Sequence, residues 1–127
     1  MPTCDPIGTV HTPFTSTADA PRQGFLDDAE GTIVLEEAYE AGLAGLRPGE
    51  DVLVVWFADR ADRTRLTVER DGGRGVFTTR SPSRPNPVCL TTCEVRSVAH
   101  GTVGVRGVDM LDGSPVLDLK PPLSPGR

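Results

Sequence analysis

The chain has 127 residues, 37% of them hydrophobic and 24% charged, and a formal net charge of −5. That length suits one domain, residues 1–127 with a frayed tail at 123–127, and leaves no room for a two-domain enzyme. No apolar run reaches the roughly 18 to 20 residues of a membrane-spanning helix, and the N-terminus lacks a basic start followed by an apolar stretch. We therefore expect a soluble protein without a secretory signal. Three cysteines, an odd number, predict reduced thiols in the cytoplasm.

The charge is unevenly distributed along the chain. Residues 1–59 carry 2 basic and 11 acidic side chains, whereas Arg60–Arg84 carries seven arginines and three acidic side chains. An acidic chain with one arginine-rich segment is suited to gripping a localised anion, because affinity for a long nucleic acid grows with the number of phosphates neutralised. A solvated strand-and-turn surface would have the same composition.

Short strand-like runs recur along the chain, each bounded by Gly, Pro or Asp. Only Glu36–Leu46 has helical spacing, and Gly42 and Gly45 limit its length. The glycines of Gly72–Gly75 are typical of a hairpin turn. The predicted strands, in chain order, are Ile7–Val10, Thr32–Leu35, Val52–Phe57, Arg65–Arg70, Gly75–Thr78, Val88–Val98, Thr102–Val108 and Val116–Leu119.

The run Val52–Phe57 is continuously apolar, which predicts a central strand buried on both faces. Many short strands with one short helix favour a mainly β fold. We predict a small, mostly antiparallel β-barrel, because closure removes unpaired sheet edges.

Two loops stand out against these strands. The segment Arg80–Pro87 contains three prolines, and these restrict the residues that precede them, so its arginines and the Asn86 amide lie on a stiff loop suited to clamping a ligand. A proline-rich turn between strands is the plainer alternative. Further along, Asp112–Gly113 between two apolar runs predicts a hairpin turn.

The acidic residues around the second loop have two interpretations. Asp118 and Lys120 are two residues apart and hence on one face of a strand, where they form either a surface ion pair or part of a site. Asp109 falls at a predicted strand end, so it too is open to a role in a site.

Metal and hydrolase sites find little support. Cys89 and Cys93 would lie about 13 Å apart in a strand, too far to share a zinc ion, so we predict small core residues and no metal. Cys89, beside the proline loop, could also be a reactive thiol. The chain has no G-x-S-x-G nucleophile motif and no glycine-rich nucleotide-binding motif.

Five motifs in register resemble the TsaA-like family (TrmO, formerly YaeB), and together they span most of the chain. They are Ile7–Phe14, Pro21–Gln23, Gly75–Ser81, Arg84–Pro87 and Asp109–Pro121. The resemblance implies a small β-barrel that binds S-adenosylmethionine and works as a homodimer, with the site near the subunit boundary. It also implies methylation of N6 of threonylcarbamoyladenosine in the anticodon loop of tRNA.

The resemblance also carries cofactor contacts onto this sequence by position. Arg84 and Asn86 would belong to the loop that shapes the pocket. The other implied contacts are Gln23, Gly24, Asp59, Arg60, Arg80, Leu90–Thr92 and, in the last motif, Leu111, Asp112, Gly113 and Ser114.

The residue chemistry is compatible with methyl transfer but leaves roles open. Either Arg80 or Arg84 could bind the carboxylate of the cofactor's methionine portion. If the nucleophile is an N–H group, its proton needs an acceptor, and Asp59, Asp109 and Asp118 are the candidates.

Three functions remain as hypotheses. The first is a tRNA methyltransferase whose Arg60–Arg84 segment faces the phosphates. The second keeps the cofactor but methylates a small metabolite, which suits a compact acidic chain. The third is a non-catalytic dimeric module that binds the cofactor or RNA.

Overall fold

The computed structural model describes residues 1–16 and 28–123, and its main feature is a closed antiparallel barrel. The strand order around the barrel is β1-β2-β7-β6-β3-β8, with β8 returning to β1. The predicted mainly β barrel is therefore confirmed. The strands are β1 (Gly8–His11), β2 (Glu30–Leu35), β3 (Asp51–Phe57), β4 (Thr67–Val68), β5 (Arg74–Gly75), β6 (Val88–Ala99), β7 (Thr102–Arg106) and β8 (Ser114–Lys120).

The barrel interior is filled mainly by β-branched side chains, which pack well on a pleated surface. Alternate residues of each strand point inward, so one side chain in two enters the core. In β7, Val103 and Val105 are buried while their neighbours are partly exposed. The fully buried core residues include Val10, Ile33, Val54, Val95, Val103, Val108, Met110 and Val116.

The central strand β3 departs from the prediction that both of its faces are buried. Val52, Val54 and Trp56 are buried, whereas the alternate residues between them are only half-buried. Because the sheet closes on itself, one face of β3 forms the core and the other lies on the outside of the barrel. The run is continuously apolar because the outward-facing residues of β3 are themselves partly buried.

The structure corrects two predicted strands in the middle of the chain. Of Arg65–Arg70 only Thr67–Val68 is a strand, and it pairs with Arg74–Gly75 in the small β4–β5 hairpin that the glycines predicted. Gly75–Thr78 is not a strand beyond Gly75, because Val76–Thr78 forms a 3₁₀ helix that buries Val76. The predicted helix also lies where expected, as a 3₁₀ helix at Glu37–Leu43.

The Asp112–Gly113 segment is a turn, but it does not connect a hairpin. It leads into β8, which pairs with β1 and β3, whereas the preceding strand β7 pairs with β2 and β6. The intervening loop buries Val108 and Met110 completely in the core. The segment with these two buried side chains connects β7 to β8, which are not neighbours in the barrel. The sequence pattern of a hairpin cannot reveal this connection.

Three predicted features lie wholly or partly outside the described residues. These are Gln23 in the second motif, Gly24 directly after it and residues 124–127 of the predicted frayed tail. Among the described residues, no helix has the length and apolar character needed to cross a membrane.

Candidate active site

A cavity of about 840 Å³ opens at the end of the barrel where β3 finishes and β6 and β8 begin. Its volume is in the range of small-molecule and cofactor sites. A β-bulge between β3 and β8 beside Val55 and Trp56 adjusts the strand geometry at this end. The lining residues come from four segments: Trp56, Ala58–Asp62 and Arg70; Arg80–Arg84; Val88–Thr91; and Asp109, Leu111 and Ser114.

The proline loop is held in shape by Arg84, which the sequence offered as a ligand for a carboxylate. Its Nη1 donates to the carbonyl oxygens of Thr79 and Ser81, both at 3.1 Å. Its Nη2 donates to the carbonyl oxygens of Val76 and Thr79. The guanidinium therefore organises the backbone of residues 76–81 from within, and most of its donors are already used.

A second arginine fixes the far end of the same loop. Arg63 donates through Nε to the carbonyl oxygen of Pro85 at 2.8 Å and through Nη2 to Oδ1 of Asn86 at 3.2 Å. Its guanidinium carbon also lies 5.5 Å from the ring centroid of Phe57, a cation–π distance. The side chain of Asn86 thus binds Arg63, and Asn86 is not among the lining residues.

The turn at residues 111–114 is anchored to β1 by Asp112. Oδ1 of Asp112 accepts a hydrogen bond from the backbone N–H of Thr12 at 3.1 Å and lies 3.3 Å from Nδ1 of His11. Gly113 has a φ of +86°, a conformation that glycine adopts without strain. Asp112 and Gly113 therefore shape the turn, while its flanking residues Leu111 and Ser114 line the cavity.

The two loops that the sequence singled out meet at this cavity. Arg60, just after β3, bridges toward the turn by donating from Nη2 to the carbonyl oxygen of Asp112 at 2.7 Å. Arg80, on the opposite wall, donates to the carbonyl oxygen of Leu90 at 3.2 Å and is otherwise exposed. The positively charged side chains of Arg60 and Arg80 therefore line the same cavity.

A buried polar chain at the cavity wall was missed by sequence reasoning. Nε1 of Trp56 donates to Oγ1 of Thr91 at 3.0 Å, and Oγ1 of Thr91 donates to Oδ1 of Asp109 at 2.6 Å. Trp56 is only 8% exposed and Thr91 5%. Thr91, Cys93 and Val95 are the alternate, inward-facing residues of β6. A polar residue at one of these positions was the sequence signal for the hydrogen-bonded chain.

The cysteines near the cavity are protonated, weakly reactive thiols. Burial, aided by the negative charge of Asp109, raises the pKa of Cys89 to about 11 and that of Cys93 to about 12. This disagrees with a reactive role for Cys89, because the thiolate is the nucleophile. The described residues contain no cluster of His, Cys, Asp and Glu that could hold a metal ion.

The structure sorts the predicted site residues into two groups. Asn86, Asp112, Gly113 and Asp118 do not line the cavity, and Asp118 instead lies 3.3 Å from Lys120 in an exposed ion pair. Thr92 does not line it either. The predicted residues that do line it are Asp59, Arg60, Arg80, Arg84, Leu90, Thr91, Leu111, Ser114 and Asp109.

Comparison with known proteins gives the family. Residues 9–125 match the family described as the tRNA-methyltransferase O N-terminal domain. The chain belongs to this family. The match covers every strand of the barrel except the first residue of β1.

Two archaeal relatives are similar to this chain in length. A probable S-adenosyl-L-methionine-binding protein of Halobacterium salinarum is 58% identical over 93% of this chain and 96% of its own length. An S-adenosyl-L-methionine-binding protein of Archaeoglobus fulgidus is 45% identical over 91% of this chain and 85% of its own length. These names and the family's description agree with the predicted cofactor and methyltransferase class.

A solved structure shares the fold. The crystal structure of TrmO from Pseudomonas aeruginosa has a TM-score of 0.82 and 30% sequence identity to this chain. The alignment covers 97% of this chain but only 56% of the bacterial chain. The barrel therefore spans a little over half the length of that relative.

Proposed function

We propose that this protein binds S-adenosylmethionine in the cavity at the end of the barrel and transfers its methyl group to N6 of threonylcarbamoyladenosine in tRNA. The observation that carries the proposal is the meeting of the proline loop and the 111–114 turn around one cavity of about 840 Å³. The methyltransferase family and the archaeal relatives named for this cofactor support it.

The donor set of the cavity fits the cofactor. When bound, the cofactor supplies an electrophilic methyl group on a positively charged sulfur. Its carboxylate needs hydrogen-bond donors, and Arg80 is the better choice because Arg84 already donates to three backbone carbonyls. Its positive groups need acceptors, and Asp59 provides one on the lining. Leu90 and Leu111 add the apolar surface that an adenine ring requires.

The chain's own residues contribute alignment and exclusion of water. Arg84, Arg63 and Asp112 hold the two loops in place before any ligand arrives, so little ordering entropy remains to be lost on binding. A methyl displacement depends on the alignment of its reacting atoms, and preformed loops provide such alignment without a metal.

We propose a homodimer in which a second copy covers the rim of the cavity. Leu66, Phe77, Val88 and Leu90 are exposed by 62%, 78%, 46% and 44%, and the last two are also lining residues. Exposed apolar side chains at a site, such as Val88 and Leu90, are typical of an interaction surface. The partner copy would complete the exclusion of water from the cavity.

The guanidinium groups of the arginine-rich segment are not equally available to tRNA. Arg60, Arg63 and Arg65 donate to backbone carbonyl oxygens of the chain itself. Arg70 lines the cavity, and its side chain forms no hydrogen bond or ion pair with the residues that the structure describes. Arg70 is therefore the best candidate for contact with a phosphate, and a tRNA substrate would imply a cytoplasmic protein.

Methylation of a small metabolite is the second candidate function. It is favoured by the net charge of −5 and by the hydrogen bonds that Arg60 and Arg63 already donate to backbone carbonyl oxygens. Phosphate contacts dominate the affinity of proteins for nucleic acids, so arginines that already donate to the chain's own carbonyl oxygens have less to offer a polyanion.

The test is transfer of a radiolabelled methyl group from S-adenosylmethionine to purified tRNA that carries threonylcarbamoyladenosine. We expect label in the modified nucleoside, and none in tRNA that lacks the threonylcarbamoyl group. Unlabelled tRNA, with intact binding of S-adenosylhomocysteine by calorimetry, would favour the small acceptor. Absence of binding would contradict both.

A further inference from the structure

We propose that Asp109 accepts the proton lost by the acceptor nitrogen during methyl transfer, and that Thr91 and Trp56 position its carboxylate. This assignment rests on the proposed methyltransferase function. It chooses among the three aspartates that the sequence left open.

The direction of each hydrogen bond in the Trp56–Thr91–Asp109 chain follows from its chemistry. An indole N–H can only donate, so Oγ1 of Thr91 accepts from Nε1 of Trp56 at 3.0 Å. The single hydroxyl proton of Thr91 is then directed to Oδ1 of Asp109, 2.6 Å away. Oδ1 of Asp109 therefore accepts this hydrogen bond, which orients the carboxylate at the wall of the cavity.

Burial makes this arrangement rigid. Trp56 and Thr91 lie on the paired strands β3 and β6, and both side chains are at least nine-tenths buried. The carboxylate of Asp109 is thus held at the wall of the cavity by groups that have no freedom to rotate away. A proton acceptor must be within hydrogen-bond reach of its donor, so such fixing is valuable.

The other two aspartates have less suitable surroundings. The side chain of Asp59 lines the cavity but is 45% exposed and lies 3.6 Å from Nε of Arg60. The side chain of Asp118 is 54% exposed, pairs with Lys120 and does not line the cavity. Neither is fixed by a buried donor among the described residues.

The proposed step balances without a further reactant. The lone pair of the acceptor nitrogen forms a bond to the methyl carbon while the methyl–sulfur bond breaks and leaves its electron pair on sulfur. The proton on that nitrogen passes to an oxygen of Asp109, which later releases it to solvent. The products are the methylated acceptor, S-adenosylhomocysteine and one proton.

The first measurement needs neither cofactor nor acceptor. In the wild-type protein, Thr91→Val and Thr91→Ser, the carboxyl carbon of Asp109 is titrated by NMR. Loss of the hydroxyl donor makes the carboxylate easier to protonate, so in Thr91→Val the titration should move to higher pH. Thr91→Ser should restore the wild-type curve. Identical curves for all three proteins would overturn the positioning role.

The second measurement follows methyl transfer to threonylcarbamoyladenosine-bearing tRNA as a function of pH. We expect Asp109→Asn to lower the rate constant about 100-fold or more, the usual contribution of a positioned base, with affinity for S-adenosylhomocysteine within about threefold of wild type. In Thr91→Val the acid limb of the profile should move to higher pH. Asp118→Asn is the matched control and should match wild type.

The outcomes separate the two proposals. Wild-type activity together with an Asp109→Asn rate within about tenfold of it would overturn the assignment of Asp109 and leave the methyltransferase function standing. A wild-type chain that transfers no methyl group would overturn the proposed function and this assignment with it. If Asp109→Asn does not fold, an unshifted Thr91→Val profile still contradicts the proposal.

Discussion

Arg84 illustrates how one side chain can shape a site without offering its charge to the ligand. Its guanidinium donates to the carbonyl oxygens of Val76 and Thr79, which precede the proline loop, and of Ser81 within it. Hydrogen bonds from a charged donor are worth more than neutral ones, and removing the donor leaves three carbonyls without it. The loop conformation therefore depends on this residue.

We expect Arg84→Ala to reduce affinity for S-adenosylhomocysteine at least tenfold and the free energy of unfolding by about 1 to 3 kcal/mol. Calorimetry gives the first quantity and denaturant titration the second. Arg96→Ala is the matched control, because Arg96 is exposed on β6 and lies 3.7 Å from Glu94. Unchanged affinity in Arg84→Ala would contradict the proposal that the proline loop forms part of the cofactor site.

Cys89 provides a pH-dependent prediction at the residue scale. Its pKa is raised from 9.0 to about 11, chiefly by burial, so it is almost entirely protonated at pH 8. We expect iodoacetamide at that pH to alkylate the exposed Cys4 rapidly and Cys89 slowly, as measured by mass spectrometry. Equal rates at the two thiols would contradict the environment described for Cys89.

The same shift has a consequence for stability. A thiol that ionises at a higher pH in the folded state than in the unfolded state destabilises the fold when the pH rises between the two values. Its contribution is fully present below pH 9 and is lost as the pH approaches about 11. Cys89→Ala should therefore show a smaller loss of unfolding free energy over that interval.

At the scale of elements, the 111–114 turn is the part of the site that depends on the fold around it. Asp112 binds the N-terminal strand through Thr12 and His11, and Arg60 binds its carbonyl oxygen. These contacts join three segments far apart in the sequence. The turn can thus align the cavity only when the barrel is closed.

We expect Asp112→Ala to weaken binding of S-adenosylhomocysteine about tenfold while the barrel remains folded, because it loses the side-chain contacts to His11 and Thr12 but no core packing. Circular dichroism tests the fold, and quenching of Trp56, the single tryptophan, reports on the cavity. Wild-type affinity in Asp112→Ala would mean that the turn keeps its position without the side chain of Asp112.

The sequence predicted the barrel strands well because their apolar alternation is local. It failed at Gly75–Thr78, where the backbone conformation is decided by Arg84 and by burial of Val76. It also failed to see that the turn before β8 connects strands that are not neighbours. Such features depend on contacts between distant residues.

The same reasoning explains the mixed success at the site. Arginines and aspartates were identifiable as candidates by type, and nine of the lining residues had been predicted as site residues. Which arginines remain available could not be predicted, since it depends on backbone carbonyls brought near by folding. The Trp56–Thr91–Asp109 chain joins three separate segments, so no short motif encodes it.

At the scale of the whole molecule, the apolar rim of the cavity predicts self-association. Phe77→Asp places a charge on a side chain that is 78% exposed in the single chain. If a second copy covers it, the variant should be monomeric in light-scattering measurements at concentrations where wild type is a dimer. A monomeric wild type would contradict the proposed dimer.

Salt dependence tests whether the molecule uses its basic segment on tRNA. Each phosphate contact to single-stranded RNA adds about −0.7 to the slope of log affinity against log salt concentration. We expect Arg70→Ala to make that slope less steep by roughly this amount, because the Arg70 side chain lies at the cavity and forms no hydrogen bond or ion pair with the described residues. An unchanged slope would exclude it from the interface.

The most direct test of the central idea is a crystal structure of the protein grown with S-adenosylhomocysteine. The account predicts ligand density between the Arg80–Arg84 loop and the turn at residues 111–114, in contact with both and within reach of Asp109. Density on another face of the barrel, or a ligand that touches neither loop, would contradict it.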